Sequence, residues 1–413
     1  MNRRHFLLQS AALTFAVAGL RCSSSQRLTG PNEATTRKSK KRVAIIGCGR
    51  MGQYYAEVYR ALPDTELVAI AEWNPKRRKI VGERFGVKAL YKDVNGLLKN
   101  EVPDIAAIIT PTKFMKEAVI ACAEAGVKGV STDKPIAAKL SDADAMVEAC
   151  QKRGVVFAGG NLQRAKWNVQ EAARRLHSDE WGTPVGASIH GFGGEISGGG
   201  CQHLSVLRLF AKAEVEELIA WGSPPEALAP EKDDKDLIIN GLFRLSSGIE
   251  ATVFGQNNQT SKLGVDVWTQ DALVRWGWDE PQIFVGTDSK GVRQEIDPHY
   301  APFPWTEFFN EKRGTIPGTS ETPWYGDDYL ISSIRSFLDA IDKGSELFIS
   351  GHDLRQALEI AIASKLSAQQ GNLPVKLPLE DRSLALYPRP YRWLGGDETN
   401  LPQSTADAAG NKS

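Results

Sequence analysis

The sequence predicts an α/β protein in two parts: a doubly wound parallel sheet, then an α+β domain on an open, mainly antiparallel sheet. Three observations carry this. Between residues 41 and 160, short runs rich in Val, Ile and Ala alternate with helix-length amphipathic stretches, the pattern of parallel strands joined by crossover helices. The first run leads into a Gly-x-Gly-x-x-Gly turn, Gly47-Cys48-Gly49-Arg50-Met51-Gly52. From Val215 onward, strand-like runs follow one another across short turns such as Ser246-Ser247-Gly248, which suits antiparallel hairpins.

Composition bounds the answer. The 413 residues are enough for two cores with flanking segments. The 50 basic and 50 acidic residues balance, giving no electrostatic reason to expect nucleic acid or an anionic membrane surface as a partner. No apolar run reaches the roughly 18 residues of a membrane span. Cys22, Cys48, Cys122, Cys150 and Cys201 are odd in number and form no C-x-x-C, which argues against a disulfide framework and a zinc site.

Residues 1–22 read as an export signal. Arg3-Arg4-His5-Phe6-Leu7-Leu8 resembles a twin-arginine start, a moderately apolar run continues to Leu20, and Ala16-Val17-Ala18 is an A-x-A-like cleavage site. The location this implies is periplasmic or secreted. Cys22 before three serines offers a lipid anchor instead, but Arg21 stands where such signals take a small residue. Residues 23–40 are polar and basic, a linker.

The first domain spans 41–160. A buried strand over 43–46 feeds the glycine turn, and a helix follows over 53–61. In a dinucleotide fingerprint Gly47 makes the tight turn, Gly49 admits a pyrophosphate to the backbone, and Gly52 lets helix and strand pack closely. A second strand over 66–71 ends at Glu72, placed to accept ribose hydroxyls and repel a 2′-phosphate, which favours NAD. Lys76, Arg77 and Arg78, read as a solvated helix face, also offer counter-charge to that phosphate, so NADP stays open. Strands over 87–91, 105–109, 127–131 and 155–158 alternate with helices over 76–85, 94–99, 116–125 and 141–153, the last with Ser141 and Asp144 suited to its start. Thr110-Pro111 and Asp133-Lys134-Pro135 fall just after strands, at the edge where such sheets bind ligands.

The second domain spans 161–378. A helix over 169–177 and a strand over 184–190 precede a glycine-rich loop, from Gly191 to Gly200, and a helix entered through Cys201-Gln202-His203. Strands are expected over 215–221, 237–245, 249–256, 262–269 and 272–278. A sheet face left uncovered calls for a partner, and a homo-oligomer formed through it is expected. Residues 288–325 are rich in Pro and aromatic side chains, whose faces suit sugar rings and subunit contacts equally. Helices over 327–341 and 353–370, the latter returning toward the first domain, precede an extended segment over 373–379. The 394–413 tail is polar and reads as disordered.

On these motifs, from residue 41 to about 378, the chain resembles the Gfo/Idh/MocA oxidoreductase family. Gly47 to Gly52, Glu72, Thr110-Pro111, and Asp133-Lys134-Pro135 in place of the usual Glu-Lys-Pro carry the likeness, with Gly160-Asn161-Leu162-Gln163-Arg164 after the last Rossmann strand. The resemblance implies a cofactor site of Gly47, Cys48, Gly49, Arg50, Met51, Gly52, Glu72, Thr110, Pro111, Asp133, Lys134 and Arg164, with no metal. It implies that Lys134 sits beside the nicotinamide and the reacting carbon of a sugar or polyol, assisted by His203. The family's aspartate four residues before that histidine is Gly199 here, Val206 replaces a second common aspartate, and Met115 stands where a histidine is frequent. Glu195 and His190 are the candidates to replace the missing carboxylate.

The function implied is an exported NAD(P)-dependent oxidoreductase acting on a small carbohydrate with a retained cofactor, as in the glucose–fructose oxidoreductase branch. A redox-neutral NAD-dependent glycoside hydrolase or lyase is one alternative. A sugar-binding protein that kept the fold without turnover is the other.

Overall fold

A computed structural model describes residues 39–160, 162–178, 180–255, 264–278, 281–286, 292–295 and 329–395. The export signal, nearly all of the linker, most of the aromatic-rich 288–325 stretch and the tail beyond Gly395 lie outside the described residues.

Six strands make the first sheet: β1 (Lys41–Ile46), β2 (Thr65–Ala71), β3 (Ala89–Tyr91), β4 (Ile105–Ile108), β5 (Gly129–Thr132) and β6 (Val156–Gly159). Their order is β3-β2-β1-β4-β5-β6, and every neighbouring pair is parallel. Helices α1 (Arg50–Ala61), α2 (Pro75–Phe85), α3 (Val94–Asn100), α4 (Met115–Ala125) and α5 (Leu140–Arg153) connect them. The chain reverses direction across the sheet between β1 and β4, so the crevice of a doubly wound fold opens above Gly47. At the start of α5, Ser141 is not the cap. The N–H groups of Leu140 and Ser141 instead donate to the carbonyls of Leu384 (3.1 Å) and Arg382 (2.8 Å), so the far end of the chain satisfies this helix start.

The second domain contributes α6 (Trp167–Leu176), α7 (Cys201–Ala211) and a nine-stranded sheet. Its strands are β7 (Gly186–His190), β8 (Val215–Ser223), β9 (Ile238–Leu245), β10 (Glu250–Phe254), β11 (Gly264–Trp268), β12 (Ala272–Trp276), β13 (Gln282–Val285), β14 (Val292–Glu295) and β15 (Val375–Lys376). The order is β14-β13-β12-β11-β7-β10-β9-β8-β15, with only β7 and β10 paired in parallel. Strands β13 and β14 are not among the strands read from the sequence; each is four residues long, too short for alternation to stand out.

Two late helices hold the halves together. Helix α8 (Tyr329–Lys343), read from sequence as part of the second domain, packs on the first sheet. Leu330, Ile331, Ile334, Phe337 and Leu338 join Val43, Ile45, Tyr55, Val58 and Ala107 in one core. Lys41 and Asp342 (2.6 Å) and Arg335 and Asp64 (2.7 Å) pin its flanks. Helix α9 (Gly351–Gln369) returns as expected and lies in the other core, with Leu354 and Ala357 joining Phe157, Val206 and Leu218. Ser350 and Asp353 close a reciprocal capping box at its start.

Candidate active site

The glycine turn is shaped by contact. Gly47 adopts φ +90°, and a Cβ there would lie 2.5 Å from the Ile109 carbonyl oxygen. A Cβ on Gly52 would lie 1.9 Å from the Gly47 oxygen, whereas one on Gly49 would meet nothing within 4 Å. The turn is therefore closed toward the protein and open at Gly49. No side chain caps α1 there, so the helix start presents its backbone N–H groups and positive dipole end to that opening.

Glu72 stands at the end of β2, where the fingerprint needs an acid, and is buried. Its Oε2 accepts the Cys48 N–H (2.8 Å) and its Oε1 the Asn74 N–H (2.9 Å), with Arg77 at 3.5 Å. Arg78 donates to the Glu72 carbonyl (2.6 Å). Arg77 and Arg78 therefore fold inward, and Lys76 alone of the three bases is exposed, a correction to their reading as a solvated face. Trp73, 58% exposed, stands next to Glu72 as an indole wall that the sequence reading passed over.

The open Gly49, the uncapped helix start and the buried acid fit the phosphates and ribose of a dinucleotide. Further along the same edge, Thr110 Oγ1 and Thr132 Oγ1 are buried without a hydrogen-bond partner among the described residues. Polar atoms in that state call for a ligand or water. The residues present fit NAD.

Lys134 follows β5. Asp133 Oδ1 accepts the Lys134 backbone N–H (2.8 Å) and lies 4.0 Å from its Nζ, and the lysine side chain is only 12% exposed. Thr112 Oγ1 donates to the Pro135 carbonyl (3.4 Å), tying the loop after Thr110-Pro111 to the Lys-Pro motif. An ammonium group is thus sheltered at the carboxyl edge of the sheet, with one carboxylate beside it.

The glycine-rich loop enters α7 through a turn in which the Glu195 carbonyl, at φ +66°, accepts the N–H groups of Gly198, Gly199 and Gly200. His203 is 2% exposed. Its Nδ1 donates to the Gly199 carbonyl (3.3 Å), and its Nε2 accepts the indole N–H of Trp278 (3.3 Å). Trp276 packs edge-on against the ring. Burial pulls its pKa down to about 4. The histidine is therefore neutral with both nitrogens engaged, and the proton-carrying role that the resemblance implied does not match this geometry. The Gly199 carbonyl, not a carboxylate, sets its tautomer.

Neither candidate replacement for the missing aspartate reaches His203. His190 meets Ser188 Oγ (2.9 Å) and Asp266 (3.7 Å) and stacks on Phe254. Glu195 takes two N–H donors of Arg392 and lies 3.5 Å from Arg389. Arg164, expected in the cofactor set, instead shares Asp353 with Arg208 (3.0 and 3.1 Å) and reaches the Ser205 carbonyl (3.4 Å). It braces α7 against α9. Cys201 is buried, donates to the Gly198 carbonyl (2.8 Å), and has its pKa pushed up to about 12, first by burial.

Among the described residues no cluster of metal ligands occurs, and no helix is long and apolar enough to cross a membrane.

Residues 41–160 match the model of an oxidoreductase family described as having an NAD-binding Rossmann fold. Over 348 residues the chain is 26% identical to myo-inositol 2-dehydrogenase of Thermotoga maritima, a match covering 80% of this chain and 96% of that one. It is 32% identical to D-apiose dehydrogenase of Paraburkholderia graminis over a shorter span, 36% of this chain and 40% of the relative. Among solved structures, an oxidoreductase from Agrobacterium radiobacter in complex with NAD+, L-tartaric acid and magnesium superposes with a TM-score of 0.66 at 22% identity, over 82% of this chain and 98% of that one.

Proposed function

The chain belongs to the Gfo/Idh/MocA oxidoreductases, and from that premise we propose that it is an NAD-dependent dehydrogenase of a sugar or sugar-derived polyol in which Lys134 handles the hydroxyl proton. The observation that carries this is the placement of Lys134: its sheltered amine stands on the same sheet edge as the open Gly49 and the buried Glu72. NAD, when bound, supplies the hydride acceptor. The protein supplies the rest. Lys134 Nζ binds the reacting hydroxyl and holds or passes its proton, with the Asp133 carboxylate 4.0 Å away to orient the amine. The neutral His203, packed against Trp276 and Trp278 with both ring nitrogens engaged, carries no proton in this scheme.

Mixing the purified protein with a panel of sugars and polyols, and following the near-ultraviolet absorbance of reduced cofactor, tests the reading. Lys134→Ala should lower kcat by about 10²–10⁴-fold, the range for a lost general acid–base group, with NAD still bound. Unchanged turnover would remove Lys134 from the mechanism. Glycoside cleavage without net reduction would favour the redox-neutral alternative.

Export by the twin-arginine route, with the cofactor loaded before transport and retained between turnovers, belongs to the same proposal and rests on Arg3, Arg4 and the A-x-A site. Replacing both arginines with lysine should hold the protein in the cytoplasm. Self-association through the large sheet is also proposed. Trp221, Leu242, Phe254 and Trp268 are exposed on it, an apolar surface that a second copy would cover. Sedimentation at several concentrations decides that point.

A further inference from the structure

The segment after β15 reaches the candidate site from the far end of the chain. Leu386 donates its N–H to the Ala138 carbonyl (2.9 Å), just beyond the Lys-Pro motif, and the Tyr387 carbonyl accepts the Asp234 N–H (3.0 Å). The short helix α10 (Pro390–Trp393) lies beside the loop at Thr112, and a Cβ on Gly395 would lie 3.0 Å from Pro111 Cγ. These contacts draw a strap from the start of α5, past the glycine-rich loop, to the Thr110-Pro111 turn.

Arg392 is the side chain that this strap delivers. Its Nε and Nη2 donate to the two oxygens of Glu195. Among the described residues nothing accepts from its Nη1. Glu195 keeps the guanidinium charged despite burial, and Asp133 also acts on it. The Cys201 sulfur, at the start of α7, feels Lys134 and Arg392 as positive neighbours and Asp133 and Glu195 as negative ones. Arg389 adds a third cation against the same Glu195. Behind the loop, Asp234 and Asp233 both act on Lys365, whose Nζ donates to the Ala229 and Lys232 carbonyls (2.8 and 3.1 Å). The mouth of the site therefore holds Lys134, Arg389 and Arg392 against Asp133 and Glu195, one positive charge more than the carboxylates balance.

We propose that Arg392 is a substrate-binding residue whose Nη1 edge receives a carboxylate, so that the site takes a sugar acid in preference to the matching neutral sugar. A planar guanidinium edge fits a planar carboxylate, and a single surplus charge matches a monoanion better than a phosphate ester. The proposal depends on the dehydrogenase reading only for where the substrate lies.

Calorimetric titration of the full chain saturated with NADH tests it, using D-glucuronate against D-glucose, D-galacturonate against D-galactose, and glucose 6-phosphate, at constant ionic strength. At least one acid should bind roughly tenfold or more tightly than its neutral partner, a ratio reasonable for one sheltered ion pair. In Arg392→Gln that ratio should fall to within about twofold. If Arg392→Gln loses NADH binding, Arg392→Lys, which keeps the charge and loses the fork, should show the smaller ratio instead. Equal binding of acid and neutral sugar in every pair, tighter binding of the phosphate, or an unchanged ratio in a folded Arg392 variant overturns the proposal. Acid preference without hydride transfer would leave it standing and defeat the dehydrogenase reading; turnover of neutral polyols without acid preference would do the reverse.

Discussion

Glu72 Oε2 accepts the N–H of Cys48 at 2.8 Å, so a carboxylate at the end of β2 is bonded into the turn that follows β1. Its other oxygen accepts the N–H of Asn74 and a long bond from Arg77 (3.5 Å), so Oε2 is the oxygen that keeps a further lone pair for a ribose hydroxyl. Glu72→Ala would leave two N–H groups without acceptors and Arg77 without its counter-charge. The expected loss is about 2–4 kcal/mol of stability, summing two unmet donors, with weaker NAD binding. Denaturant unfolding and NADH fluorescence titration measure the two. Unaltered values for both would show that Glu72 braces nothing.

The glycines of the fingerprint should separate under substitution. Gly52→Ala forces a Cβ onto the Gly47 carbonyl and should destabilise the fold itself. Gly49→Ala meets open space, so the protein should melt near the wild-type temperature while binding NAD at least about tenfold more weakly, because the methyl group occupies the phosphate approach. Full NAD affinity in Gly49→Ala would place the pyrophosphate elsewhere.

His203 makes an acid-side prediction. Its pKa is about 4 in the fold and near 6.5 in the unfolded chain, so between those values the unfolded state binds the extra proton. Stability contributed by the neutral ring is complete above about pH 6.5 and is lost as pH falls toward 4, on the order of 3 kcal/mol for a shift of this size. His203→Gln should flatten that limb of the stability profile. A kcat limb between pH 5.5 and 7.5 that vanishes in His203→Gln would restore the ring as a proton carrier.

Asp234 has the opposite sign. Burial raises its pKa to about 6, and its Oδ2 accepts the Ser197 N–H. The fold then holds the proton more tightly than the unfolded chain, so this contribution is complete below about pH 3.8 and is lost as pH rises through 6. Asp234→Asn keeps an acceptor and removes the charge. It should be more stable than wild type at pH 8 by on the order of 1–3 kcal/mol, with the gain gone near pH 4. Equal stability at both pH values would show that Asp234 is not strained by its burial.

The first sheet was legible because parallel strands buried on both faces read as continuous apolar runs, and its ligand edge because Glu72, Thr110 and Asp133-Lys134 directly follow such runs. What stayed hidden depended on distant partners. The pattern of residues 329–343 says that one face is buried, not which sheet covers it. Arg164 finds Asp353 across 189 positions of sequence, and Glu195 finds Arg392 across 197. His203 reads as a candidate base until Trp278 is seen to hold its Nε2. In each case the residue type was visible and its counterpart was not.

Helix α8 has a bearing on how the chain is made. The first sheet has all six strands by Gly159, yet the face carrying Val43, Ile45 and Ala107 is completed only by Leu330, Ile331 and Phe337. As the polypeptide leaves the ribosome, α1 and α2 cover part of that face with Tyr55, Val58 and Phe85, and the rest waits until most of the chain has followed. A chain stopped before Tyr329 lacks the Leu330, Ile331 and Phe337 part of this core, so a nucleotide-binding half cut free at residue 160 is expected to be less stable than the same residues in the full chain.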